Sequence, residues 1–324
     1  MMQQLAYDML RATEMAALAA WPLIGCGDKN QIDGAAVTAM RQSLNQAPMR
    51  GRIIIGEGEI DHAPMLFIDE ELGLGVGPEV DIAVDPIEGT RMVSVGQHNA
   101  LSVLACAPRG CLFHAPDMYM RKLVVRPEAK GAIDLTRSLE DNLRSVAAAL
   151  NKPLQQLQVV ILDKPRHQAD IRQLNNLGVK VSILPDGDVA GSIMLCQTNS
   201  ELDVMYTIGG APEGVLSACA VKIMGGDMQG MLIDSLDAKG WSDLNQQTAQ
   251  QERQRCQHMG VEVNHVYTLN QMVHTDEILF SATGVTKGDL TDGVRKIESK
   301  LQTQSLFLNG IDKTQRLINT LHER

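Results

Sequence analysis

Residues 80–92 read VDIAVDPIEGTRM. The stretch begins as a buried strand and then places Asp85, Glu88 and Thr90 within six positions, bent by Pro86 and opened by Gly89. A hydrophobic strand that ends on two carboxylates and a hydroxyl has the form of a ligand-lining strand end, because in α/β sheets such loops line binding sites. The backbone amides of Gly89 and Thr90 suit a small anion nest.

Working outward, the pattern predicts helices over 3–20 and 34–46, the second opened by Asp33 as its cap. GRIIIGEGE (51–59) reads as a β-branched strand ending in glycines and glutamates, followed by a short helix from Pro64. Apolar runs at 101–107 and 122–126 extend the same sheet, and 138–150 reads as a Ser-capped helix. From about residue 155 the strands QVVILD, VKVSILP and VMYTIGG alternate with helical patterns at 166–177, 188–196 and 212–224. That alternation is the signature of βαβ crossovers and of a mostly parallel sheet. QGMLID, EILFSATGVT and QSLFLNG add strands whose placement the pattern does not specify, with a polar helix near 245–258. The expected class is α/β, with an α+β N-terminal half. It divides into two packed subdomains, 1–150 and 151–324, the first carrying most of the acidic site residues.

Composition narrows the function classes. No apolar run among the 324 residues approaches the roughly 18 to 20 that a membrane span requires, so no membrane partner is expected. The opening MMQQLAYDMLRATEMAALAAW lacks a basic leader and reads as an amphipathic helix, which makes the cytoplasm the expected location. The six cysteines form no CxxC pair and sit in apolar segments, as reduced thiols do. A net charge of −10 with no basic stripe argues against nucleic acid, and is compatible with carboxylates gathered to hold divalent cations.

The loops carry the chemistry. Glu57 stands between two glycines, Asp85 and Glu88 flank the Pro-Ile turn, Glu213 follows Pro212 in the first turn of a helix, and Asp33 has a similar helix-start position. Singly, Asp33 and Glu213 read as first-turn acids that complement a helix dipole. Together, five carboxylates in Gly- or Pro-punctuated loops match the hard-oxygen ligand set of Mg²⁺ or Mn²⁺. LDKPR sets Lys164 and Arg166 two apart after a strand, where they either solvate a loop or grip a second phosphate. Asp186 and Asp188 around Gly187 suit sugar hydroxyls, and equally a turn leading into a helix.

The same motifs, CGDKNQIDG, IGEGEIDHAPM, VDIAVDPIEGT, HAPDMYM, LDKPR, LPDGDVA, YTIGGAPEGV, GGDMQG and LFSATGVT, span nearly the whole chain. Through them the sequence resembles the class II fructose-1,6-bisphosphatases, within the lithium-sensitive, metal-dependent phosphatase superfamily that includes the inositol monophosphatases. The resemblance implies a layered αβαβα sandwich and two or more Mn²⁺ (or Mg²⁺) ions per site. Asp33 and Glu57 would hold one ion, and Asp85, Glu88 and Glu213 a second. Thr90 and Asp61 would orient the attacking water, with Lys29 aiding phosphate binding. Glu88, Gly89, Thr90, Tyr119, the loops Lys164–Pro165–Arg166 and Asp186–Gly187–Asp188, and Gly210 would hold the substrate. The implied reaction is direct attack of a metal-activated water on the 1-phosphate of fructose 1,6-bisphosphate, without a covalent phosphoenzyme, in a homodimer or homotetramer. Sedoheptulose 1,7-bisphosphate, an inositol phosphate, or a sugar-phosphate-binding paralogue without catalysis are the alternatives. Ile60, His62 and Asp69 depart from the commonest family pattern, Asp69 standing where glycine is usual.

Overall fold

A computed structural model describes residues 2–56 and 66–323. It is of mixed α/β class, with ten α-helices among the described residues and two mixed sheets. The chain forms two compact units, one of residues 1–113 and 274–324, the other of residues 114–273. The division therefore falls at two points, and residue 150, the expected border, lies inside the second unit just after the helix Leu139–Ala149. The chain leaves the first unit after Phe113 and re-enters it at His274, whose amide donates to the carbonyl of Cys111 (2.8 Å), so exit and return run side by side.

In the first unit the sheet runs Arg295–Ile297, Lys300–Asn309, Leu279–Gly284, Leu101–Pro108, Glu79–Glu88, Arg50–Ile55, Glu71–Leu72, with Thr314–His322 also paired to Lys300–Asn309. Among the described residues of this sheet, only Arg50–Ile55 and Glu79–Glu88 pair in parallel. EILFSATGVT thus pairs with Leu101–Pro108 and QSLFLNG with EILFSATGVT, so both join the sheet of the N-terminal strands although they come from the far end of the chain. The alanine-rich helix Ala6–Ala20 and the helix Lys29–Leu44 pack on one face, where Met9, Ala16, Ile32 and Met40 meet Ile53, Val80, Ile82, Val84 and Leu104. Alternation along Glu79–Glu88 therefore sends Val80, Ile82 and Val84 into that core and Asp81 and Asp85 to the opposite face. Asp81 is buried there between Arg109 Nε (3.1 Å) and Arg52 (3.4 Å), which neutralise it.

Two local expectations change. The second helix begins at Lys29, not after Asp33: Asp28 is its N-cap, accepting from the Gln31 amide (3.1 Å), and Asp33 lies inside the helix. The short helix expected from Pro64 begins outside the described residues.

The second unit's sheet runs Val266–Thr268, Asp227–Ile233, Tyr119–Val125, Val204–Gly210, Gln158–Leu162, Lys180–Leu184. The βαβ half-sheet is present: Gln158–Leu162 pairs in parallel with both neighbours. The sheet as a whole is mixed, because Tyr119–Val125 lies between Val204–Gly210 and Asp227–Ile233, antiparallel to both. The apolar run at 122–126 accordingly belongs to this sheet, not to that of 101–107. Leu123, Val125, Leu143, Val146, Val159, Ile161 and Leu174 form the core on one side. Helices Asp188–Cys196 and Ala211–Met224 pack against each other, and both are almost wholly buried.

Candidate active site

The strand Glu79–Glu88 loses register with Leu101–Pro108 between Asp85 and Glu88, and this irregularity turns both carboxylates to one place. Their ligand oxygens lie within 4.8 Å of one another. Asp85 Oδ1 accepts from the Ile87 amide (3.0 Å), which holds the turn across Pro86, and Glu88 is buried. Gly89 follows at φ 87°, a left-handed conformation that favours glycine, and a Cβ there would also push aside the Met92 Cε 2.3 Å away. Thr90 then opens the helix Thr90–Ser94, and its Oγ1 donates to Asp33 Oδ1 (2.8 Å), with the Ile87 carbonyl at 3.1 Å as a second acceptor.

Asp33 reaches Thr90 because its helix is tied to Thr90–Ser94 from both sides of the Gly25–Gly27 turn: Gly25 and Gly27 amides donate to the carbonyls of Val93 and Ser94 (both 2.9 Å). Burial raises the Asp33 carboxyl above its usual range, opposed by the Thr90 bond and by the charge of Lys29. Lys29, the first residue of that helix, is exposed. Asp33, Asp85, Glu88, Thr90 and Lys29 therefore share the first unit, whereas Glu57, Asp61 and His62 lie outside the described residues.

The second unit holds the remaining predicted residues. Glu213 sits in the first turn of Ala211–Met224 after Pro212; burial pushes its carboxyl up to about 7, Asp188 adds to the rise, and Lys122 opposes it. Its Oε2 is buried with no hydrogen-bond partner among the described residues. A Cβ on Gly210 would lie 1.9 Å from that oxygen, and one on Gly209 would lie 2.2 Å from Asp188 Oδ2. The pair of glycines is therefore the space in which the two carboxylates stand.

Arg166 and Tyr119, both expected to contact substrate, lie against each other. The guanidinium carbon stands 5.1 Å from the ring centroid, and Nε donates to the Ile208 carbonyl (2.7 Å). Lys164 is engaged by Asp186 (3.2 Å), which joins the two loops expected to grip phosphate and sugar separately. Pro165 starts the turn Pro165–His167, and Gly187 takes φ 87° before the helix that Asp188 opens.

Three contributors escape a reading by motif. Lys122 is wholly buried and pairs with Asp188 (2.5 Å); the signal was a lysine inside the apolar strand YMRKLVV, since lysine is almost never fully buried unless paired. His167 is also buried: it accepts from the Ile208 amide at Nε2 (3.0 Å), which leaves Nδ1 to donate to Asp170 (3.1 Å) and pins the Lys164–Arg166 loop to its neighbour strand. Lys239 lies 5.0 Å from the Tyr119 centroid, with no signal in its own segment.

In the first unit the Asp85–Glu88 pair, a donor set of carboxylates alone, suits a hard divalent cation; in the second the orphaned buried oxygen of Glu213 is a donor of the same hard kind. Together with the Gly89–Thr90 strand end, this defines a metal-dependent phosphatase of α/β class. The particular family follows from comparison with known proteins. The model of the bacterial fructose-1,6-bisphosphatase family, glpX-encoded, matches residues 3–322. The chain is 62% identical over 321 residues to fructose-1,6-bisphosphatase 2 class 2 of Escherichia coli strain K12, covering 99% of this chain and 100% of the relative. It is 53% identical over 322 residues to fructose-1,6-bisphosphatase 1 class 2 of the same strain, covering 99% of this chain and 96% of the relative. It is 49% identical over 322 residues to the class 2 enzyme of Haemophilus influenzae, covering 99% and 97%. The chain belongs to the glpX-encoded, class II fructose-1,6-bisphosphatase family.

Proposed function

We propose that this chain hydrolyses the 1-phosphate of fructose 1,6-bisphosphate, giving fructose 6-phosphate and phosphate, the hydrolytic step of gluconeogenesis. Full-length identity of 62% to a class 2 fructose-1,6-bisphosphatase supports the reaction. The observation in the molecule that carries it is the Asp85–Glu88 pair ending one strand beside the Thr90–Asp33 hydrogen bond.

In this reading Asp33 and Glu57 hold one cation, and Asp85, Glu88 and Glu213 another, Mn²⁺ or Mg²⁺. The bound cations would supply positive charge against the phosphate dianion and lower the pKa of water. The chain's own groups do the rest. Thr90, its hydroxyl proton committed to Asp33, presents oxygen lone pairs that accept a hydrogen bond from the attacking water and orient it. Asp61 shares that task, and Lys29 adds charge beside the phosphate. The amides at Gly89 and Thr90 cradle phosphate oxygens. Tyr119 and Arg166 hold the distal phosphate, Lys164 joins them through its pair with Asp186, and Asp188, Gly187 and Gly210 receive the sugar.

Phosphate release measured with Mn²⁺ across fructose 1,6-bisphosphate, sedoheptulose 1,7-bisphosphate, an inositol monophosphate and glycerol phosphate tests the assignment. Fructose 1,6-bisphosphate turns over fastest, chelation abolishes release, and Arg166→Ala costs more on the bisphosphates than on glycerol phosphate. Absence of metal-dependent release from every bisphosphate overturns the reading; equal losses for Arg166→Ala remove the distal grip. A homodimer or homotetramer in the cytoplasm completes the proposal, checked by light scattering and by fractionation. No helix among the described residues is long and apolar enough to cross a membrane.

A further inference from the structure

Lys122 occupies the middle of Tyr119–Val125, opposite Thr207 on one side and Gly230 on the other, with no exposed surface. Its ammonium pairs with Asp188 Oδ2 (2.5 Å) and donates to the Gly210 carbonyl (2.8 Å). Asp188 opens one helix and Gly210 ends a strand 22 positions later, so a single nitrogen ties two loops that the chain keeps apart. The fit around that nitrogen is tight: a Cβ on Gly209 would lie 3.1 Å from Lys122 Nζ, and one on Gly214 would lie 3.4 Å from its Cδ. A buried ion pair stabilises a fold little better than well-packed apolar residues of the same volume. What it does supply is direction, because removing the cation leaves a buried carboxylate and a carbonyl without the group that aims them.

We propose that Lys122 is a positioning residue of the sugar subsite: its buried ammonium fixes the Asp188 carboxylate and the Gly210 carbonyl as one rigid set of acceptors for substrate hydroxyls. The proposal rests on the reading of Asp188 and Gly210 as substrate-binding groups. Lys122 itself touches no substrate. Substrate affinity depends on it through the second oxygen of Asp188, which keeps its orientation only while the first is held.

Kinetics of the purified full-length chain at saturating Mn²⁺ test this with Lys122→Met, Lys122→Gln, Asp188→Asn and the double variant Lys122→Met/Asp188→Asn. Lys122→Met raises KM for fructose 1,6-bisphosphate about tenfold while kcat stays within about threefold, the signature of lost binding that is equal in ground and transition states. Lys122→Gln, which keeps a donor for Gly210, raises KM less, and it carries the test should the methionine variant not fold. Asp188→Asn raises KM, and the double variant exceeds the worse single variant by less than about twofold, since both act through one carboxylate. A loss confined to kcat or to the thermal midpoint, with KM unchanged in the folded Lys122 variants while Asp188→Asn raises it, overturns the proposal and leaves the substrate reading intact. An unchanged KM in Asp188→Asn overturns that reading and the proposal with it.

Discussion

Thr90 Oγ1 donates to Asp33 Oδ1 at 2.8 Å, a bond between residues 57 positions apart that joins the first turn of one helix to the interior of another. It leaves the hydroxyl with a fixed proton and free lone pairs, and it partly offsets the cost of burying Asp33.

Thr90→Val removes the hydroxyl and keeps the shape. Activity falls on the order of 100-fold, while Thr90→Ser retains most of it. Steady-state kcat together with the thermal midpoint checks this; a midpoint that collapses along with activity would assign Thr90 to folding instead of turnover.

Glu213 titrates in a direction that can be read in the metal-free protein. Its carboxyl is raised from 4.5 to about 7, with burial as the first cause. A raised folded-state pKa contributes stability that is fully present below 4.5 and is lost as pH rises through about 7. The chelated enzyme therefore loses stability across that window, Glu213→Gln flattens the loss, and added Mn²⁺ restores more stability at the upper end in the wild type than in the variant. Denaturant midpoints at several pH values show it. Glu213→Gln also abolishes nearly all turnover at saturating Mn²⁺, and near-normal activity would sink the ligand assignment.

Gly210→Ala is a more severe change than its one methyl suggests. The new Cβ would lie 1.9 Å from Glu213 Oε2, so the carboxylate must swing away. At φ −68° the backbone accepts alanine without strain, which predicts a folded protein whose activity drops at least tenfold and whose requirement for Mn²⁺ rises. Circular dichroism and a Mn²⁺ activation curve separate this outcome from general unfolding.

Asp69 takes φ 69°, a left-handed conformation that favours glycine and that aspartate tolerates at a cost. Asp69→Gly gives up only an exposed pair with Arg52 (4.0 Å) and stabilises the protein by up to about 1 kcal/mol, read as a higher thermal midpoint with unchanged kinetics.

Much of this molecule is legible in one dimension, where its signals are local. Alternating and helical apolar patterns locate VMYTIGG at 204–210, the helix at 188–196 and the Ser138-capped helix within a residue or two, because burial on one face imposes the period. The candidate site residues are legible as punctuation: a strand broken by proline and glycine points to Asp85, Glu88 and Thr90. The C-terminal strand Thr314–His322 leaves no such trace, because it lies at the side of the sheet, mostly exposed, with polar residues along its length.

By itself the sequence determined the α/β class, the family and the identity of the chemical groups, all of which depend on residue type and short spacing. Tertiary structure alone decided which strands pair: Leu279–Gly284 returns to lie beside Leu101–Pro108, and Tyr119–Val125 leaves its neighbours in sequence to sit antiparallel within the second sheet. It also decided that Thr90 meets Asp33, that Lys164 meets Asp186, and that Lys122 is buried against Asp188 and Gly210. The physical reason is common to these cases. Hydrogen bonds and ion pairs across long stretches of chain are fixed by how strands register and where a missing Cβ leaves room, and neither is written in the spacing of any one motif.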